Sequence, residues 1–81
     1  MHPIFVFIKC ELGKTYDVAG YITDKIEEIS ELHSVSGEYD LLAKFYVREG
    51  DDIGRFICDR LQAAPAIRDT FTINTFNAFV T

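Results

Sequence analysis

Apolar positions along this 81-residue chain follow two different periods, and the switches between them mark out six elements. Ile4-Phe5-Val6-Phe7-Ile8 is a short run of β-branched and aromatic residues, closed by Gly13. Such a run suits a buried strand, which the pattern predicts over residues 3–11. Alternation puts Ile4, Val6, Ile8 and Cys10 on one face and Phe5 and Phe7 on the other, so both faces are apolar. Past Gly13, Val18, Ile22, Ile26 and Ile29 recur near helical spacing. Thr15 is placed to cap that segment, which predicts a helix over 15–28. Residues 31–36 are amphipathic and poorly hydrophobic, as an edge strand is.

Gly37-Glu38 reads as a tight connection into a third strand over 39–48. Leu41, Ala43, Phe45 and Val47 fall on one face of it, Leu42, Lys44 and Tyr46 on the other. Asp51-Asp52 supplies a helix start, and Ile53, Phe56, Ile57 and Leu61 form a helical stripe that Pro65 stops. Residues 67–81 alternate, with Ile67, Phe71 and Ile73 set against Thr70, Thr72 and Asn74. They read as one long closing strand, open to interruption near Asn74 or Asn77.

The order β-α-β-β-α-β predicts an α+β fold of the ferredoxin-like, split βαβ type, as a single domain spanning residues 1–81. Four antiparallel strands would carry two helices on one face. Nothing in the chain remains to cover the other face, with Phe5, Phe7, Leu42 and Phe71 or their neighbours. Each large apolar side chain left wet forfeits roughly 1.5–3 kcal/mol. A patch of that size marks an interface, so the pattern predicts a homodimer with its sheets packed face to face.

Charge narrows the partners. Thirteen acidic residues against eight basic ones give a net charge of -5, the wrong sign for a polyanion binder, so no direct nucleic-acid contact is expected. No apolar run approaches a membrane span, and the first residues do not form a signal peptide. Cys10 and Cys58 are too few for a secreted disulfide scaffold, which points to the cytoplasm.

A sweep for chemistry returns little. His2 and His33 lack a second ligand at metal-binding spacing, and neither cysteine has a histidine placed to activate it. Glu27-Glu28 and Asp51-Asp52 read as solvated helix residues and a cap, not as paired acids of a hydrolase. The glycines are scattered, so no phosphate loop is present, and no metal or cofactor is expected. One constellation stands out: Val35-Ser36-Gly37-Glu38-Tyr39-Asp40. Gly37 lets a ligand approach the backbone, and Asp40 places a carboxylate beside the exposed amide. Together they suit a zwitterion. The plainer reading, that Gly37 serves the turn and Asp40 caps it, stays open.

In that element order the chain resembles the C-terminal effector-binding (RAM) domain of the Lrp/AsnC transcriptional regulators, nearly end to end. Val35-Ser36-Gly37-Glu38-Tyr39-Asp40 fits the family's V-x-G-x-x-D turn. Asp52-Ile53-Gly54-Arg55-Phe56, with Leu61 and Pro65, resembles its second helix, and Thr70-Phe71-Thr72 its closing T-x-T. One departure is Ala66, where the family usually has glycine after the proline.

The resemblance implies a dimeric sandwich that often assembles into a tetramer of dimers, an octamer, with amino acids bound between dimers. By position, Gly37 and Asp40 would form the core of that site, with Ser36 and Tyr39 adjacent. Thr70 and Thr72 are further candidates, or equally β-favouring residues on a solvated face. The full regulators carry an N-terminal helix-turn-helix for which 81 residues leave no room. This implies a stand-alone form that does not itself bind DNA but senses an amino acid, associates with full-length Lrp/AsnC regulators, or serves in metabolism. The leading expectation is therefore a non-enzymatic amino-acid-binding and oligomerisation module. A cofactor-free dimeric α+β barrel enzyme, of monooxygenase or isomerase type, shares the sheet-on-sheet dimer and is the competing reading. A ligand-independent interaction module is the third.

Overall fold

A computed structural model describes residues 1–80. Strand β1 (His2–Cys10) leads through helix α1 (Thr15–Lys25) to β2 (Ile29–Ser34) and β3 (Leu41–Val47). A short α-helical segment, α2 (Ile53–Phe56), continues as a π-helical turn over Ile57–Leu61, and β4 (Ile67–Asn74) closes the fold. The strands form one antiparallel sheet in the order β2-β3-β1-β4. This is the expected ferredoxin-like arrangement.

Strand alternation sorts the side chains as the sequence pattern anticipates. Ile4, Val6 and Ile8 of β1 and Ala43 and Phe45 of β3 are fully buried. They pack with Val18 and Ile22 of α1, with Ile26 just past its end, and with Ile57 and Leu61 from the second helical segment. Phe45 meets Phe56 edge to face, ring centroids 5.3 Å apart. Arg60 lies over the Phe56 ring and forks onto Glu28 with bonds of 3.0 and 3.1 Å, tying the second helical segment to the turn between α1 and β2.

The element ends differ from the periodic reading for identifiable reasons. Helix α1 stops at Lys25 because Ile26 turns extended while its side chain stays buried, and the Glu28 carbonyl then accepts from Tyr46 N–H at 2.9 Å. Ile29 therefore opens β2 opposite Phe45 instead of closing the helix. Lys14, not Thr15, occupies the N-cap of α1, and no side chain caps it. Asp52 does cap α2, accepting from Arg55 N–H at 3.1 Å. The β2–β3 connection is longer than a tight turn: Val35 N–H donates to the Asp40 carbonyl at 3.0 Å, enclosing residues 36–39.

Two differences concern β4. The strand ends at Asn74, one of the two interruption points anticipated, and Phe76 and Phe79 beyond it are exposed. Thr81, the last residue of the expected strand, lies outside the described residues. A register shift opposite Lys9 and Cys10 also separates Ile67 from Phe71 and Ile73. Ile67 pairs with Cys10 and packs against the core, whereas Phe71 and Ile73 pair with Phe7 and Phe5 on the far face. A bulge inserts one residue, and one residue is enough to exchange faces.

Among the described residues no helix covers that far face. Phe5, Phe7, Leu42 and Tyr46 are half-buried, and Phe71 and Ile73 remain 53% and 37% exposed. Tyr39 from the β2–β3 loop stacks between Phe7 and Phe71, with centroids 5.4 and 6.4 Å away.

Candidate functional site

Where β3 meets β1, the ladder runs out one bond early. Asp40 N–H donates to the Ile8 carbonyl at 2.9 Å, and the Cys10 amide, two residues further along β1, has an acceptor in Asp40 Oδ2 at 2.8 Å. A carboxylate side chain thus stands in for a backbone carbonyl and fixes the start of β3. Two glycine-bearing loops converge beside it. Gly13 (φ 76) follows β1 and Gly37 (φ 106) follows β2. Both values are awkward for any residue with a Cβ, and at Gly37 the space outside the backbone is open. The backbone is consequently approachable on both sides.

Between the loops lies a surface cleft of about 310 Å³. Its walls include Gly37, Glu38 and Asp40 on one side and Glu11, Leu12 and Gly13 on the other. Lys9, Cys10, Thr15 and Arg68 complete it. That volume is at the lower end of small-molecule sites. Leu12, 97% exposed, is an apolar side chain at the rim with nothing over it. A larger hollow of about 370 Å³ lies away from this loop, by Met1, Tyr46 and Arg48. Two of its charged residues, Glu28 and Arg48, are already engaged with Arg60 and Asp51. It therefore makes the weaker site for a small polar ligand.

Two groups at or near the cleft have shifted titrations. Burial, and after it the Asp40 charge, pushes the Cys10 thiol above its ordinary value despite a contact with Thr15, so it is a poor nucleophile. Desolvation, together with the carboxylates of Glu38 and Asp69, likewise raises the Tyr39 hydroxyl. Among the described residues no group of three or more His, Cys, Asp or Glu side chains is arranged to hold a metal ion.

The sequence-derived candidates separate in space. Gly37 and Asp40 share the cleft. Ser36 is exposed on the same loop, and Tyr39 turns to the open sheet face. Thr70 and Thr72 pair with Ile8 and Val6 and so face the helices, half-buried. Thr70 accepts a hydrogen bond from Gln62 there at 2.7 Å. The structure does not bring either threonine to the cleft of this chain. Sequence reasoning missed Lys9, Glu11, Leu12 and Arg68. The only available signal was Gly13, whose positive φ makes a second loop like that of Gly37.

Comparison with known proteins agrees with this architecture. The family model described as the Lrp/AsnC ligand binding domain matches residues 4–81. The HTH-type transcriptional regulator FL11 of Pyrococcus abyssi is 30% identical over 69 residues, covering 85% of this chain and 44% of the regulator. The chain thus spans less than half the length of that curated relative. The crystal structure of FFRP-DM1 superposes with a TM-score of 0.82 at 29% identity, covering 90% of this chain and 96% of that one. A Neisseria meningitidis transcriptional regulator, NMB0573, solved as a complex with L-Met, superposes with a TM-score of 0.84 at 14% identity. It covers 98% of this chain and 52% of that one, a likeness of fold alone.

Proposed function

Because this chain belongs to the Lrp/AsnC ligand binding domain family, we propose that it is a non-enzymatic sensor of a small amino acid, bound at the Gly37 and Asp40 cleft. The observation that carries the reading is the meeting of two positive-φ glycine loops around one anchored carboxylate, beside an uncovered apolar rim. Exposed amides, carboxylates and cationic side chains within one small cleft suit both poles of a zwitterion. The L-Met complex of the Neisseria regulator, which has the same fold, adds support.

Assembly follows from the same surfaces. Two chains pack through the open faces of their sheets, and the cleft, with Leu12 at its edge, lies between neighbouring dimers. A ligand that prefers the assembled state stabilises it by mass action. A tetramer of dimers is the assembly proposed, and full-length Lrp/AsnC regulators are its candidate partners. Support for binding over catalysis comes from the interior. Aliphatic and aromatic side chains fill the space between helices and sheet, and among the described residues no polar or charged side chain is buried there.

Titration calorimetry with the twenty amino acids tests the reading, with heat expected from at least one. The companion variant is Asp40→Asn. It keeps an acceptor for the Cys10 amide, which Asp40→Ala removes, while deleting the charge offered to an ammonium group. Loss of amino-acid binding in a folded Asp40→Asn protein is the expected result. Heat unchanged by that substitution, or absent with every amino acid in wild-type protein, contradicts it.

A further inference from the structure

We propose that Arg68 reads the carboxylate of the bound amino acid, an assignment that rests on the sensor reading above. It begins with the register irregularity of β4. Lys9 pairs with Asp69 and Cys10 with Ile67, so Arg68 is the extra residue, without a partner on β1. Bulges of this kind take one side chain out of the ladder's alternation and re-aim it. The position is pinned from the other side as well. Ala66, held at φ 70, accepts from Glu11 N–H at 2.8 Å, tying the start of β4 to the loop that carries Leu12 and Gly13. Arg68 borders the cleft with Gly37 and Asp40 as a result.

Charge pairing singles out the same residue. Of the eight lysines and arginines, Lys14, Lys44, Arg48, Arg55 and Arg60 each have a carboxylate partner. Among the described residues Lys9, Lys25 and Arg68 have none, and two of these three border the cleft. Lys9 stands on the open sheet face opposite Asp69 in register. Arg68 is exposed, and its guanidinium has a fixed fork of N–H donors that matches a carboxylate bidentately. Glu11 and Glu38, also at the cleft and, among the described residues, also without a cationic partner, form the complementary wall for an ammonium group.

The test compares amino acids with the amines that remain when the carboxylate is removed. L-methionine is paired with 3-methylthiopropylamine, L-leucine with isopentylamine, L-lysine with cadaverine and L-glutamate with γ-aminobutyrate. If the panel of twenty identifies a different amino acid, its own decarboxylated amine joins the set. Calorimetry on wild-type protein and Arg68→Gln measures each pair. Arg68 supports no hydrogen-bonded or ion-paired side-chain contact among the described residues, so the variant is expected to fold, and circular dichroism checks it. Wild-type protein should prefer the amino acid to its amine by about tenfold or more, the scale of one charge-assisted pair. Arg68→Gln should lose most of that preference by weakening the amino acid and leaving the amine unchanged. An undiminished preference in folded Arg68→Gln overturns the assignment and leaves the sensor reading standing. Wild-type protein that takes up none of the twenty amino acids overturns both.

Discussion

The two faces of the sheet use the same four strands to opposite ends. Towards the helices, Ile4, Val6, Ile8, Ala43, Phe45 and Val47 are almost completely sealed by side chains of this one chain. Away from them, Phe5, Phe7, Leu42, Tyr46, Phe71 and Ile73 form a surface of mainly aromatic rings around Lys44. The compositions differ because the two faces meet water differently. Aliphatic side chains fill an interior that forms once, on folding. Aromatic rings, some with a polar handle, suit the proposed interface, a face wet before association and dry after it. Even the charge on the open face is provided for. Lys44 Nζ lies 3.5 Å from Glu31 and over the rings of Phe5 and Tyr46, 5.8 and 5.0 Å from their centroids.

Substitution on each face separates folding from association, and the largest effect belongs to the sealed one. Phe45→Ala should cost about 3–5 kcal/mol of fold stability, read from urea unfolding of the variant against wild type. Phe7→Glu, one strand away but facing outward, should leave the far-ultraviolet dichroism intact. It should raise the dimer dissociation constant by about a hundredfold or more in sedimentation equilibrium. Comparable dimer affinity in that variant would mean that the open face is not the interface.

A smaller effect concerns the charged part of the open face. His33 and, after it, Lys44 hold the Glu31 carboxyl below its ordinary value of 4.5. A carboxyl with a depressed folded-state value contributes stability above its unfolded value and loses it as the pH falls through the folded one. The fold should therefore keep this small contribution at pH 5 and lose it only as the pH falls below 4.5. Glu31→Gln leaves Lys44 without its carboxylate and should lower the urea midpoint slightly at neutral pH, while removing this acid-side dependence. Urea unfolding across the pH range reads both.

The smallest effect lies in the backbone. Ala66 sits at φ 70, the left-handed region, where a Cβ costs roughly 1–2 kcal/mol, while glycine's freedom when unfolded offsets about 0.5–1. Ala66→Gly should stabilise the fold by about 1 kcal/mol or less, visible as a rise of a few degrees in thermal midpoint.

That alanine also shows where sequence reading succeeds and where it stops. Its departure from the family's glycine was visible in the chain, and the positive φ supplies the physical reason for the glycine. Strand faces were legible because period-two alternation and burial agree at Ile4 to Ile8 and at Leu41 to Val47. The end of α1 was not, because Ile26 and Ile29 keep helical spacing while a carbonyl contact with Tyr46 draws the chain into the sheet. Local pattern carries no trace of that partner. The cleft was half legible. Gly37 and Asp40 lie within one short motif, whereas Arg68 reaches them through a bulge, and a bulge is a property of two strands rather than one.

Sedimentation velocity at low micromolar protein, with and without the amino acid that calorimetry identifies, tests the central claim most directly. A dimer is expected alone and a larger, discrete assembly once the cleft is filled, the shift vanishing in Asp40→Asn. A folded monomer at that concentration, or a dimer whose size no amino acid changes, would contradict it.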